Sequence, residues 1–381
     1  MKISDITVYK VKPRWIFVKI STDEGIEGWG EMISGTKTET VVAGAYEIGN
    51  RLIGRNPFEI ERLFQEMHRS FFRGGPINGT IVSGLEMALW DIKGKAFGVP
   101  VWELLGGAAR DKIKVYSWIG GDRPNEVAEQ AQDRFDRGFS AVKMNATSEL
   151  HYIDSYEKVE EVVERVASIR ERLRDKMDIG VDFHGRVHKP MAKVLAKALE
   201  PYHPMFLEEV VLPENEEYFK EVASVVSTPL ATGERLYTRW QYKNIFKQGS
   251  IDILQPDVAL CGGILETRKI AAMAEAYDMA VAPHAPYGPV ALAATLQVDA
   301  CTPNVFIQEQ SLGIHYNKGF DLLDFIKNKE IFQYKDGYVD LPSKPGLGLE
   351  MDEDKIKEIA QEGLVWTNPQ WKNYDGTIAE W

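Results

Sequence analysis

Cysteine is scarce in this chain of 381 residues: Cys261 and Cys301 are the only two. Their separation fits no metal-binding spacing, and a chain of this size needs no disulfide staple, so reduced thiols in a cytoplasmic setting are expected. Long apolar runs are missing too. No stretch approaches the roughly 18 residues of a membrane-crossing helix, and the opening MKISDITVYKVK lacks the apolar core of a signal peptide. Positive charge is in deficit, with 45 Lys and Arg against 57 Asp and Glu and a formal net charge of −12. Nucleic acid and anionic membrane both require a basic face, so neither is expected as a partner. An acidic small molecule would have to be attracted locally, by a metal or a few cationic side chains.

What is present is enough chain for a barrel of about 250 residues and a second domain of roughly 100 or more. Residues 1–112 read as a small α+β domain. WIFVKISTDEGIEGWGE is a hairpin pattern turning at Asp23, Glu24 and Gly25. Val82, Leu85, Leu89 and Ile92 recur at helical steps, predicting a helix from Ile81 to Phe97 that Gly98 and Pro100 stop. The glycine-rich segments GWGEMISG and RGGPING match no nucleotide loop and are read as loops over a site. From 113 to 325 the rhythm becomes strand, helix, strand. Eight strand ends are expected near Ile119, Asn145, Asp182, Glu208, Gly233, Asp257, His284 and Glu309, the pattern of a parallel barrel. Residues 326–381 return to loop and short strand, and their Pro and Gly residues suggest a path back to the first domain. Trp366, Trp371 and Trp381 are expected to pack against that domain, since aromatics of this size are rarely left in solvent in such number.

Three carboxylates, Asp182, Glu208 and Glu234, fall at intervals of 26 residues, each closing a short apolar run. That interval fits one strand plus one returning helix, which places one acid at the carboxyl end of each of three successive strands, the rim where barrel enzymes keep their chemistry. Three anions within roughly 4 Å would repel by about 4 kcal/mol per pair at an effective dielectric near 20, so a cation between them is expected. An all-oxygen ligand set points to Mg²⁺, with Mn²⁺ as its substitute.

In GVDFHG the strand period of two puts His184 on the same side as Asp182, where it suits proton transfer. Asp257 and His284 close the next two strands after Glu234, near enough for the aspartate to fix the imidazole's tautomer and favour its protonated form. Glu309 is either a further rim acid or a surface charge. Lys143 and Asn145 share a face at the second strand end and are candidates for substrate contact, the alternative for Lys143 being a solvated lysine. His68, His151, His188 and His203 read as structural, and His315 is undecided.

These residues, with ALWDIKGKAFGVPVWELLGG, YSWIGGDRP, DFHGRVHKPMAKVLAKALEPY, QEQSLGIHYNKG, LLDFIKNKE, PRW near the start and AEW at the close, resemble the enolase superfamily, mandelate racemase subgroup. Within it the likeness is to the acid-sugar dehydratases that act on galactonate. The resemblance implies an α/β fold, a modified (β/α)8 barrel of (β/α)7β type, capped by an N-terminal α+β domain that the C-terminal tail completes. It implies Mg²⁺ on Asp182, Glu208 and Glu234, His284 as base tuned by Asp257, His184 as acid, and Glu309 as a transition-state hydrogen-bond partner. A small-molecule acid sugar as substrate and a homo-oligomer are also expected. Other readings are a dehydratase of another aldonate or aldarate, an epimerase, a metallohydrolase, which would want His ligands that this trio lacks, or a catalytically silent sugar-acid binder.

The chain departs from the pattern in places. Asn145 stands where many relatives carry a second lysine, which argues against two-base racemisation. Val210 replaces the proline of Glu-Glu-Pro, and Leu260 and Cys261 lie where a more polar loop is expected.

Overall fold

The computed structural model describes residues 1–33, 35–69, 75–317, 319–364 and 366–380. Its N-terminal part is an antiparallel sheet of β1 (Ile3–Val11), β2 (Trp15–Thr22) and β3 (Glu27–Ile33), followed by helices α1 (Thr38–Gly49), α2 (Ile60–His68), α3 (Gly75–Phe97) and the single turn α4 (Val101–Leu104). The β2–β3 hairpin turns where the sequence predicts, with Gly25 at φ 78°. Both glycine-rich "loops" are corrected. GWGEMI belongs to β3, because α3 presses directly on that strand: a Cβ at Gly28 would lie 2.1 Å from the Ala88 carbonyl oxygen, and one at Gly30 1.8 Å from that of Gly84. The glycines permit a close strand–helix contact. In RGGPING, residues 75–79 already belong to α3, which starts before the expected Ile81. Pro76 is tolerated in a first turn, where its missing N–H would have had no partner. Ser34, Arg73 and Gly74 lie outside the described residues.

Eight parallel strands follow: β4 (Lys112–Trp118), β5 (Ala141–Asn145), β6 (Asp178–Asp182), β7 (Phe206–Glu208), β8 (Leu230–Thr232), β9 (Ile253–Leu254), β10 (Ala280–Val281) and β11 (Gln308–Gln310). Between them run α5 (Val127–Asp136), α6 (Tyr156–Leu173), α7 (Lys189–Leu199), α8 (Phe219–Ala223), α9 (Lys243–Gln248), α10 (Ile264–Glu275) and α11 (Pro289–Ala300). Pairing runs in order from β4 to β10, and β11 returns to β4. The remaining seam, between β10 and β11, is bridged at Val281 and Val305, with the Phe306 N–H donating to the Val281 carbonyl at 3.0 Å. Among the described residues no α-helix follows β11 before α12 (Glu353–Ala360), which gives the (β/α)7β pattern.

Two expected strand ends need correction. β9 and β10 stop at Leu254 and Val281, short of Asp257 and His284, which pair only through an isolated bridge. Pro256 and Pro283 lack the N–H that would carry the ladder on. Below the rim, Tyr116, Ala141, Phe206, Ala231, Ile253, Ala282 and Ile307 form their own buried cluster. By the strand period these residues share the inward face with the rim acids, Phe206 with Glu208 and Ile307 with Glu309. Gly180 makes room for the Phe206 ring, which a Cβ there would meet at 2.6 Å.

Two buried carboxylates join the first domain to the barrel. Glu31 of β3 accepts the N–H groups of Gly288, Val290 and Ala291 at 2.6, 3.1 and 3.0 Å. Glu86 of α3 accepts those of Ile264 and Leu265 at 2.7 and 2.9 Å. Each sits at the positive end of a barrel helix, α11 or α10, which suits an anion. The C-terminal part returns as β12 (Tyr338–Asp340), antiparallel to β4, and as α12, whose Glu353 accepts bonds from Tyr9 at 2.7 Å and Lys19 at 2.8 Å. Trp366 meets Tyr316 edge-on at 6.0 Å and lies 6.0 Å from Arg14 of the first domain, the Asn368 N–H donates to Thr36 of that domain at 2.9 Å, and Trp371 lies 3.8 Å from Arg123 of a barrel loop. Tyr374 and Ile378 are exposed, and Val365 and Trp381 lie outside the described residues. Among the described residues no helix is long and apolar enough to cross a membrane.

Candidate active site

The spacing of 26 residues does what it predicts: Asp182, Glu208 and Glu234 come from three adjacent strand ends, and one oxygen of each lies within 4.8 Å of the others. All three are buried. Burial, and next the neighbouring Glu208 charge, push the Asp182 carboxyl well above the usual range. Burial likewise raises Glu208 to about 7, although Lys143 pulls the other way. Two oxygens are held back from the protein. Asp182 Oδ2 has no hydrogen-bond partner among the described residues, its nearest cation being Lys143 at 4.0 Å, and Glu234 Oε2 has only a 3.4 Å contact to His284 Nε2. An oxygen-only set of converging, underused carboxylates fits a hard divalent cation.

Lys143 and Glu309 form the floor. Lys143 is fully buried, its Nζ 2.6 Å from Glu208 and 3.1 Å from Glu309 and facing the rings of Trp118 and Tyr116, so the solvated alternative falls. Glu309 is a rim acid and not a surface charge. It is fully buried, accepts the Ala285 N–H at 2.7 Å and is bonded by the Trp118 indole. Burial alone would raise its carboxyl, but Lys143 and then His284 outweigh that and hold it below the usual range. Asn145 turns aside, with Nδ2 3.5 Å from the carbonyl oxygens of Gly121 and Asp122.

The two histidines stand on opposite sides of the rim, after β6 and β10. His284 Nδ1 is 2.7 Å from Asp257 Oδ2, and its Nε2 faces the centre, 3.4 Å from Glu234 and 3.9 Å from Glu309. Burial opposes charge on this ring, yet Glu234, Glu309 and Asp257 together raise it to about 10. Asp257, raised by burial, is held as an acceptor by His284 and the Ala259 N–H. His184 has the opposite surroundings. Burial, and after it the charges of Arg235, Arg186, Lys143 and His284, drive it well below its usual value. Its backbone N–H donates to Asp182 Oδ1 at 2.7 Å, tying the histidine to the acid trio.

Above the site lies a cavity of about 1040 Å³, whose walls include Arg14, Tyr287, Tyr316 and Trp366 with Glu234 and His284. The Arg14 guanidinium faces all three aromatic rings, at 5.6, 4.9 and 6.0 Å. Sequence reasoning missed this wall, whose parts come from four distant segments. It also missed Gln255, which donates to Glu208 Oε2 at 2.6 Å, although its place two residues before Asp257 put it on the same face. Of the two departures after Asp257, Leu260 lines the cavity, whereas Cys261 is fully buried against Thr267 and takes no part. His315 lies 3.5 Å from Asp122, and His188 stacks on Tyr152.

Comparison with known proteins agrees with this architecture. The profile described as Mandelate racemase / muconate lactonizing enzyme, N-terminal domain, matches residues 1–106, and that described as Enolase C-terminal domain-like matches residues 126–355. Proteins named D-galactonate dehydratase from Variovorax paradoxus (strain S110) and Cronobacter sakazakii (strain ATCC BAA-894) are each 50% identical to the chain, over 100% of both partners. A crystal structure of an enolase from Agrobacterium radiobacter, bound to Na and L-malate, superposes with a TM-score of 0.91 at 32% identity over 100% of each chain. A mandelate racemase/muconate lactonizing enzyme-like protein from Roseovarius sp. TM1035 gives 0.87 at 34% identity, over 94% of this chain and 95% of that one. On matches of this length and identity, the chain belongs to the enolase superfamily, in its mandelate racemase subgroup.

Proposed function

We propose that this chain is a Mg²⁺-dependent hydro-lyase that removes water from an acid sugar, converting D-galactonate to 2-dehydro-3-deoxy-D-galactonate. The observation that carries the reading is a converging carboxylate trio flanked by two histidines, after β6 and β10, with opposite electrostatic surroundings. The two relatives identical at half their positions and named D-galactonate dehydratase support the choice of substrate.

Asp182, Glu208 and Glu234 would hold the ion, and Gln255 and Lys143 keep Glu208 in place. Bound there, Mg²⁺ would supply the positive charge that makes a proton beside a carboxylate removable. Asp257 orients His284 so that Nε2 takes the C2 proton. The electron pair left behind forms the C2–C3 double bond as the C3–O bond breaks, and the hydroxyl leaves as water with a proton from His184. Tautomerisation of the enol gives the 2-keto acid. Negative charge arriving with the substrate offsets the cations around His184 and lets that ring carry the proton it donates. Lys143, paired with Glu309 at the floor, would lend positive charge to the substrate's carboxylate end, and Glu309 would serve as a hydrogen-bond partner in the transition state. Asn145 shapes the β4 loop beside it. We divide the chain into a cap of residues 1–112, a barrel of 113–325 and a returning segment of 326–381.

Incubation with a panel of aldonates and aldarates, scored for 2-keto acid, tests this reading. D-galactonate should give the highest kcat/KM. Turnover of an aldarate alone would replace the substrate, and no keto acid from any member would remove the dehydratase reading.

A further inference from the structure

A second ion pair stands beside the trio and has no part in the chemistry described above. Glu209, next to Glu208, is fully buried; its Oε1 accepts the Thr232 hydroxyl at 2.7 Å and its Oε2 lies 3.2 Å from Arg235 Nε. Arg235 in turn donates from Nη2 to the backbone carbonyl of His184 at 2.8 Å, and its Nε also lies 3.7 Å from Glu234 Oε1. The contact is built into the backbone on both sides. His184 and Glu209 adopt left-handed conformations at φ 52° and 47°, uncommon for residues other than glycine. Such strain persists only where the surroundings enforce it. Gly185, at φ 62°, leaves space for the guanidinium, which a Cβ would meet at 3.2 Å. The Gly185 N–H reaches the Glu209 carbonyl at 3.4 Å, so backbone and side chain tie the same turn to the end of β7.

From this geometry we infer that Arg235, held by Glu209, is a positioning residue for the proton donor His184: it fixes the turn that aims the imidazole at the leaving hydroxyl. The inference rests on the acid role given to His184 above. Arg235 touches no reacting atom in this scheme. The buried Glu209 charge holds one edge of the guanidinium by ion pairing while Nη2 bonds the His184 carbonyl, so the position of one is passed to the other. An arginine can make both at once because its donors are fixed in one plane.

The test is a double-mutant cycle of Arg235→Gln and His184→Asn, read in D₂O with D-galactonate as probe and two observables per variant: 2-keto acid formed, and deuterium gained at C2 of recovered substrate. Arg235→Gln should lower kcat for dehydration by about 10- to 100-fold, part of the 10²- to 10⁴-fold that a general acid supplies. KM should change little, and deuterium should accumulate at C2, because proton removal by His284 continues while departure of the hydroxyl is slowed. On the His184→Asn background the Arg235 change should have no further effect. Glu209→Gln should act in the same sense and more weakly, and calorimetric Mg²⁺ affinity measured alongside should stay within a few-fold of the parent. If Arg235→Gln slows exchange and dehydration equally, or adds its full loss on the His184→Asn background, Arg235 does not act through His184 and the inference falls. If His184→Asn itself leaves dehydration intact, the acid assignment falls first.

Discussion

The two sides of the rim are built from the same residue type to opposite ends. At the end of β10, His284 is ringed by anions, Asp257 at 2.7 Å, Glu234 at 3.4 Å and Glu309 at 3.9 Å, and its proton affinity rises to about 10. After β6, His184 is ringed by cations and lies well below its ordinary value. Burial acts in the same direction on both rings, so burial does not separate them; the sign of the neighbouring charge does. These surroundings favour a protonated His284 and a neutral His184; a divalent cation held by Glu234 would offset the anion that raises His284 most and free its Nε2 for the base role proposed above.

The largest test of this comparison removes the charge the two sides share. Stripping divalent metal should abolish dehydration, and Mg²⁺ should restore it; full turnover in a verified metal-free sample would end the mechanism on both sides at once. Glu234→Gln should weaken Mg²⁺ binding in calorimetry, since an amide replaces one of three anions. Next in size is His284→Asn, for which loss of both C2 exchange and dehydration is expected, towards the upper end of the 10²- to 10⁴-fold range for proton transfer. His184→Asn comes third. It should fail on D-galactonate yet recover on an analogue carrying fluoride at C3, which departs without a proton. Rescue of the His284 variant in place of the His184 variant would reverse the two roles.

The smallest effect lies away from both rings and shows what a carboxylate outside the site does. Glu353 joins α12 to the cap sheet. Burial tends to raise its carboxyl, but Lys19, Lys357 and Tyr9 lower it to about 2. A depressed folded value stabilises above the unfolded value of 4.5, and that stabilisation fades as pH falls from there towards 2. Because the pair is part-exposed, screening limits its worth to roughly 0.2–1 kcal/mol. Glu353→Gln should therefore lower the melting temperature slightly at pH 7, with the difference shrinking in acid, and leave kcat unaltered. A gap that widens as pH falls would contradict this sign.

Much of the site was legible because its grammar is local. Equal spacing located the trio, and the strand period put His184 beside Asp182, since both depend only on residues near in sequence. Pro256 and Pro283 could have warned that Asp257 and His284 stand past their strands. The misread glycine segments fail for the opposite reason: Gly28 and Gly30 resemble loop residues until α3 is packed on them. Lys143 was equally opaque. Whether a lysine is solvated or sealed under two carboxylates depends on strands β7 and β11, not on its own neighbours in the chain.

The sequence by itself determined the alternating barrel, the three converging carboxylates and the two histidines beside them, because hydrophobic period and strand-helix spacing are properties of short stretches. Only the tertiary structure decided which charges surround each histidine. Arg235 reaches His184 from the end of β8, Glu309 reaches His284 from β11, and the cavity wall joins Arg14 of the cap to Trp366 of the tail. Electrostatic interaction falls with distance in space, and distances between residues so far apart in sequence exist only once the chain has folded.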